Sequence, residues 1–142
     1  MESAQAKFPE YELAGIEVIA RGVCVQDGKV LLCLPKSGGR TYLPGGHIEF
    51  GEKGDVALKR EMREEMQVEA TVGKLLGVVE SMFEQNAKPH HEINLVYEMT
   101  LPDGTAAKAA EDWIAFTWQP VERIHEANLL PAEMIRYVVA NS

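Results

Sequence analysis

The stretch LPGGHIEFGEKGDVALKREMREEMQV, Leu43 to Val68, carries the reading of the whole chain. Its second half has helical periodicity. Leu58, Met62 and Met66 form an apolar stripe, and Glu61, Glu64 and Glu65 lie on the adjoining edge at i, i+3 and i+4. The spacing predicts a helix from about Val56 to Met66, with Asp55 as its N-cap. Like charges so spaced destabilise a helix by about 0.2–0.5 kcal/mol per pair. A solvated acidic face would account for the carboxylates but not for what precedes them. Pro44-Gly45-Gly46 lets the backbone approach a ligand closely and frees carbonyls to point at it. Hard divalent cations such as Mg²⁺ take carboxylate, carbonyl and water oxygens together with substrate phosphates. A bound cation would turn the repulsion among the glutamates into attraction.

The bulk properties bound the alternatives. A chain of 142 residues, 46% apolar and 25% charged, is ordinary for one soluble globular domain. It shows no repeat, low-complexity tract or compositional break. No apolar run approaches the roughly 20 residues that span a bilayer, and the start lacks a signal peptide's basic and apolar regions. These features predict a cytoplasmic protein without membrane contact. With 14 Lys and Arg against 22 Asp and Glu, net charge −8, there is no basic surface for long nucleic acid.

Around the decisive stretch the elements read as follows. Asp27-Gly28 is a two-residue turn and predicts a hairpin from about Val18 to Pro35. Cys24 would face Leu31, and Cys33 would face Gly22. The cysteines would then be diagonal neighbours roughly 7–8 Å apart, too far for an easy disulfide. Residues 41–46 read as a short strand entering the glycine-rich loop. Residues 68–83 read as β structure interrupted at Gly73 and Gly77. Residues 90–100 alternate, with His90, Glu92 and Asn94 on one face and His91, Ile93 and Leu95 on the other. A loop, a strand stopped by Pro120, a short helical turn and a C-terminal helix from about Pro131 follow. The order indicates a mixed α/β layer structure.

The full spacing is more specific than its parts. Gly46, five residues, Glu52, seven residues, then Arg60-Glu61-Met62, Glu64-Glu65 and Val68 resembles the Nudix box. The resemblance implies an α/β (α+β) fold, an α/β/α sandwich with a mixed β-sheet, over residues 15–142, with residues 1–14 as a polar lead. It implies a hydrolase acting on phosphoric anhydride bonds of a nucleoside diphosphate linked to another group, using Mg²⁺ or Mn²⁺. Carried over residue by residue, Glu64 and Glu65 are the main metal ligands and the Gly45 carbonyl a further one. Glu61 is a ligand or the base that deprotonates water, Arg60 orients the glutamates, and Glu52 is an outer partner. The family usually has glycine where this chain has Gln67, a substitution expected to cost of order 1 kcal/mol in a left-handed turn. The resemblance leaves a homodimer open.

Outside the box the candidates are fewer. Glu80, Glu84, Glu92, Glu111 and Asp112 are the acids that could supply a base. Glu111, in an acidic loop before a strand, is the preferred accessory metal ligand or base, although the loop also reads as a plain polar loop end. His90 and Glu92 share a strand face and are candidates for substrate binding. Trp113 is a candidate for stacking a base, alongside Tyr42, Phe83 and Trp118. The proline typical of ADP-ribose enzymes beyond the box is absent, with Phe83 and Glu84 in its place, and no tyrosine of the dinucleoside-polyphosphate type is there. By elimination the expected activity is nucleoside triphosphate pyrophosphohydrolysis. The alternatives are an ADP-ribose or nucleotide-sugar pyrophosphatase, a non-catalytic nucleotide-binding module, and an RNA-end-processing enzyme, which the acidic balance disfavours.

Overall fold

The computed structural model describes residues 15–142, so the lead assigned to residues 1–14 lies outside the described residues. The chain runs β1 (Ile16–Val23), β2 (Val25–Gln26), β3 (Lys29–Pro35), β4 (Gly45–His47), α1 (Gly54–Met66), β5 (Thr71–Gln85), β6 (Lys88–Thr100), β7 (Ile114–Pro120), a 3-10 turn (Val121–Glu126) and α2 (Met134–Ala140). Strands β4-β1-β6-β5 form one sheet and β2-β3-β7 another. The β1–β6 pair is parallel and the other pairs are antiparallel, which makes the larger sheet mixed, as expected.

Period-2 alternation distributes each strand between two cores. On one side Ala20, Leu31 and Met99 pack with Leu58, Met62 and Met66, the stripe of α1. On the other side Val23, Val30, Leu32 and Val96 pack with Ile124, Met134 and Val138 from the C-terminal helical elements. Helices therefore cover both faces, and each is held by the apolar stripe legible in its sequence. The expected glycine interruptions are register shifts in β5, between Val72 and Leu75 and between Leu75 and Gly77.

Three local expectations are corrected. The hairpin survives only at its tip, where Leu31 donates to the Cys24 carbonyl at 3.0 Å and Val25 opposes Val30. Beyond it the arms part into different sheets, and Cys33 stands opposite Phe116 and Tyr42 instead of Gly22. β1 gains partners on both edges, β6 on one side and β4 on the other, so its backbone groups are satisfied without β3. Both thiols are free. Burial pushes Cys24 up to about 11 and Cys33 up to about 12, with the negative charge of Glu65 adding to the latter.

Helix α1 begins earlier than expected, with Lys53 at the N-cap. Asp55 lies in the first turn, where its carboxylate accepts from the Val56 N–H at 2.9 Å and complements the helix dipole. The third correction concerns length: α2 is confined to Met134–Ala140 and does not begin at Pro131. Gln67 occupies the left-handed conformation anticipated for it, with φ 56° and ψ 40°.

Candidate active site

One face of α1 lies against the β4-β1-β6-β5 sheet, and the site is built where that face meets β4. Gly45 and Gly46 allow the approach. At Gly45, with φ +142°, a Cβ would collide with the Ala20 carbonyl, and at Gly46 it would occupy the place of the Glu61 carboxyl group. The two glycines thus bring the β4 backbone directly onto an α1 carboxylate, so the expected loop from Gly45 begins as a strand.

Arg60 organises the cluster. Its Nε and Nη2 grip the two Glu52 oxygens at 2.7 and 2.9 Å, a bidentate fork. Nη1 donates to Glu61 at 3.0 Å and to Glu64 at 3.3 Å, and Nη2 donates to the His47 carbonyl at 3.0 Å. The hydrogen bonds to Glu52 hold the guanidinium well above its ordinary pKa, and those from Arg60 hold Glu52 below the usual carboxylate range. One arginine therefore clamps the loop and two of the three helix acids.

The third acid differs. Glu65 is 6% exposed and its Oε2 has no hydrogen-bond partner. Burial, and then the negative charge of Glu61, push its carboxyl up to about 8. A buried carboxylate left with an unpaired oxygen beside another carboxylate is costly unless a cation or proton joins it. The donor set of carboxylates at a glycine-rich loop suits a hard cation of the Mg²⁺ class. Among the described residues no three acidic, histidine or cysteine side chains are gathered closely enough to enclose a cation by themselves.

A cavity of about 300 Å³ opens on the sheet face opposite α1, at the lower end of the roughly 300–1,000 Å³ range of small-molecule sites. Tyr42, Phe83, Glu92, Arg21 and Arg40 line it with Leu130. Arg21 is anchored by the Leu43 carbonyl at 2.9 Å and the buried Asn94 at 3.3 Å, and lies 5.9 Å from the centre of the Tyr42 ring. In the β1–β4 register Arg21 opposes Gly45, so the cavity and the acidic cluster flank the same short strand.

The structure brings together Arg60, Glu61, Glu64 and Glu65 with Gly45 and Gly46 of β4, and it places Glu92 in the cavity. His90 stacks on Phe83 with ring centres 5.0 Å apart and hydrogen-bonds Glu17, so it backs the cavity wall from behind. Glu111 and Trp113 are not brought to either place. The Glu111 carboxylate accepts from the Trp113 indole at 3.1 Å, and that indole is exposed. The neighbouring Ala110 N–H, not an acid, is what docks on α1, at the Glu65 carbonyl. Of the other aromatics named from sequence, Trp118 is turned to the Thr105 carbonyl. Sequence reasoning missed Arg21 and Arg40. The signal for Arg21 was a charge inside the apolar run Val18–Val25, which a buried strand does not carry without a partner or ligand.

A family model described as the NUDIX domain matches residues 17–138. The chain belongs to the Nudix family. Escherichia coli (strain K12) CTP pyrophosphohydrolase is 31% identical over 123 residues, covering 84% of this chain and 86% of its own. Human diphosphoinositol polyphosphate phosphohydrolase 3-alpha is 33% identical over 107 residues, 72% of this chain and 59% of its own. Among solved structures, a MutT NUDIX hydrolase from Burkholderia pseudomallei matches with a TM-score of 0.65 at 26% identity, over 76% of this chain and 85% of that one. The chain is thus a Nudix hydrolase acting on phosphoric anhydride bonds. Nudix hydrolases generally use divalent metal ions and act on small nucleotide substrates. No helix among the described residues is long and apolar enough to cross a membrane.

Proposed function

We propose that this Nudix hydrolase is an Mg²⁺- or Mn²⁺-dependent nucleoside triphosphate pyrophosphohydrolase, releasing a nucleoside monophosphate and pyrophosphate. The observation that carries the proposal is the buried, unpartnered Glu65 oxygen beside Glu61, one short strand away from a cavity with aromatic walls. The named activity of the Escherichia coli relative, similar over most of both chains, favours a triphosphate substrate.

Glu64 and Glu65 would hold the ion with the Gly45 carbonyl. Bound there, it would acidify water and offset phosphate charge. Glu61 would join in holding it or would accept the proton from the attacking water. Arg60 fixes the Glu61 and Glu64 rotamers and is itself fixed by the Glu52 fork. The nucleoside enters the cavity between Tyr42 and Phe83, with His90 bracing Phe83, and the phosphates cross β4 towards the carboxylates. Of the two ligands Glu64 is exposed and Glu65 is buried.

The test is a panel of canonical and oxidised nucleoside triphosphates, ADP-ribose, a dinucleoside polyphosphate and nucleotide sugars at alkaline pH with Mg²⁺. Phosphate and pyrophosphate release are both read, with Glu64→Gln alongside. Pyrophosphate from a triphosphate, lost by orders of magnitude in a folded Glu64→Gln protein and abolished by EDTA, is the expected result. Cleavage of a diphosphate-linked substrate alone would overturn the triphosphate assignment. Near-normal turnover by Glu64→Gln would overturn the ligand assignment.

A further inference from the structure

The cavity contains an acid that the proposed chemistry does not use. Glu92 lies on the cavity-facing side of β6, between Glu17 of β1 and Ser81 of β5 in the strand register. Its neighbour Glu17 is fully engaged: His47 Nε2 meets one oxygen at 2.7 Å and His90 Nδ1 the other at 3.2 Å. Glu92 has no hydrogen-bond or ion-pair partner among the described residues, although two arginines line the same cavity. Arg21 is turned to Leu43 and Asn94. Among the described residues the cavity therefore presents two uncommitted carboxylates, exposed Glu84 of β5 and half-buried Glu92 of β6, and Glu92 is the enclosed one.

The walls define what can meet it. Tyr42 and Phe83 offer aromatic faces, and Phe83 is held by the parallel His90 ring, inclined 8° to it. A flat heteroaromatic ring held against such walls presents its edge to the floor. An ionised carboxylate only accepts hydrogen bonds. An exocyclic amino group donates to it, whereas a ring carbonyl at the same position sets acceptor against acceptor. Cytosine and uracil differ in this way, by a donor N4 amino group in place of an acceptor O4. Arg40, which lines the cavity with an unpartnered Nε, is a donor available to the O2 carbonyl.

We propose that Glu92 reads the exocyclic amino group of the base, so that the enzyme selects amino-bearing nucleosides and takes cytidine in preference to uridine. The inference rests on the nucleotide reading of the cavity and deepens it by naming the residue that selects the base. Neither the ion nor the box carboxylates enter it.

The test measures binding of CMP and UMP to the full chain by calorimetry without metal, for the wild type, Glu92→Gln and Glu92→Ser. Pyrophosphate release from CTP and UTP is followed in parallel. A hydrogen bond to a charged acceptor predicts a CMP preference of about tenfold to a hundredfold in the wild type. Glu92→Gln should bring the ratio towards one and strengthen UMP binding, because its carboxamide can donate to O4. Glu92→Ser should lose the CMP preference without that gain, which a merely structural role would not produce. Thermal melts of both variants establish that they are folded. Equal binding of CMP and UMP by the wild type, failure to bind either, or a preference that survives in both variants would overturn the inference. CMP discrimination without turnover of any triphosphate would instead remove the proposed reaction and leave the role of Glu92 standing. Turnover of CTP and UTP at equal efficiency would do the reverse.

Discussion

Removing divalent metal should make the stability of this protein fall steeply with pH, and Glu65 sets the size of the effect. In the metal-free fold its carboxyl is raised from an ordinary 4.5 to about 8, by burial and by the charge of Glu61. Below pH 4.5 the group is protonated in both the folded and unfolded chains, and its contribution to stability is fully present. Between pH 4.5 and 8 the unfolded chain loses the proton while the folded chain keeps it, so stability declines as pH rises through that window. The interval of 3.5 pH units at about 1.36 kcal/mol each amounts to about 5 kcal/mol as an upper bound, part of it shared with Glu61. Against a typical total of roughly 5–15 kcal/mol, that loss is large enough to bring the metal-free protein close to unfolding at pH 9. The assay is urea unfolding in EDTA at steps from pH 5 to 9, for the wild type, Glu65→Gln and Glu61→Gln. Glu65→Gln should flatten the profile and Glu61→Gln should reduce its slope. A wild-type profile as flat as that of Glu65→Gln would refute the reasoning, because Glu65 would then ionise in the fold without cost.

Three further outcomes are expected. Gly46→Ala should push the Glu61 carboxyl from its seat and lower kcat by more than tenfold while the far-UV circular dichroism spectrum is unchanged, with steady-state kinetics as the check. Gln67→Gly should raise urea stability by about 1 kcal/mol, since a non-glycine residue at φ 56° costs about that much, and leave kcat near normal. A large loss of turnover there would mean that Gln67 takes part in the site. Met62→Ala, at a fully buried position of the α1 stripe, should cost about 2–5 kcal/mol in denaturant unfolding without a specific effect on KM.

The box was legible because its information is local. The (i, i+3, i+4) acids and the apolar stripe of α1 are both consequences of helical geometry, and the left-handed turn at Gln67 follows from where that stripe ends. The alternation of β6 likewise told which residues share the cavity face, Glu92 and His90 among them. Glu111 and Trp113 lie in a loop without periodicity, so their pairing through the indole N–H could not be read from the sequence. Arg21 was visible as an anomaly in an apolar strand but not as part of a cavity, since its companions Tyr42, Phe83 and Leu130 come from distant segments.

Local sequence by itself therefore determined the family, the helix with its carboxylates and the strand faces, because each depends on residues within a turn or two of one another. Only the tertiary structure decided that β1 leaves its hairpin partner for β4 and β6, since the satisfaction of both its edges depends on strands far along the chain. The same packing decided which of three similar glutamates is buried. Glu61, Glu64 and Glu65 are equivalent as letters. The approach of Gly46 to one side of α1, and of the Ala110 loop and the core to its end, leaves Glu64 in water and encloses Glu65 with an unpaired oxygen. That difference in desolvation follows from packing, not from the letters.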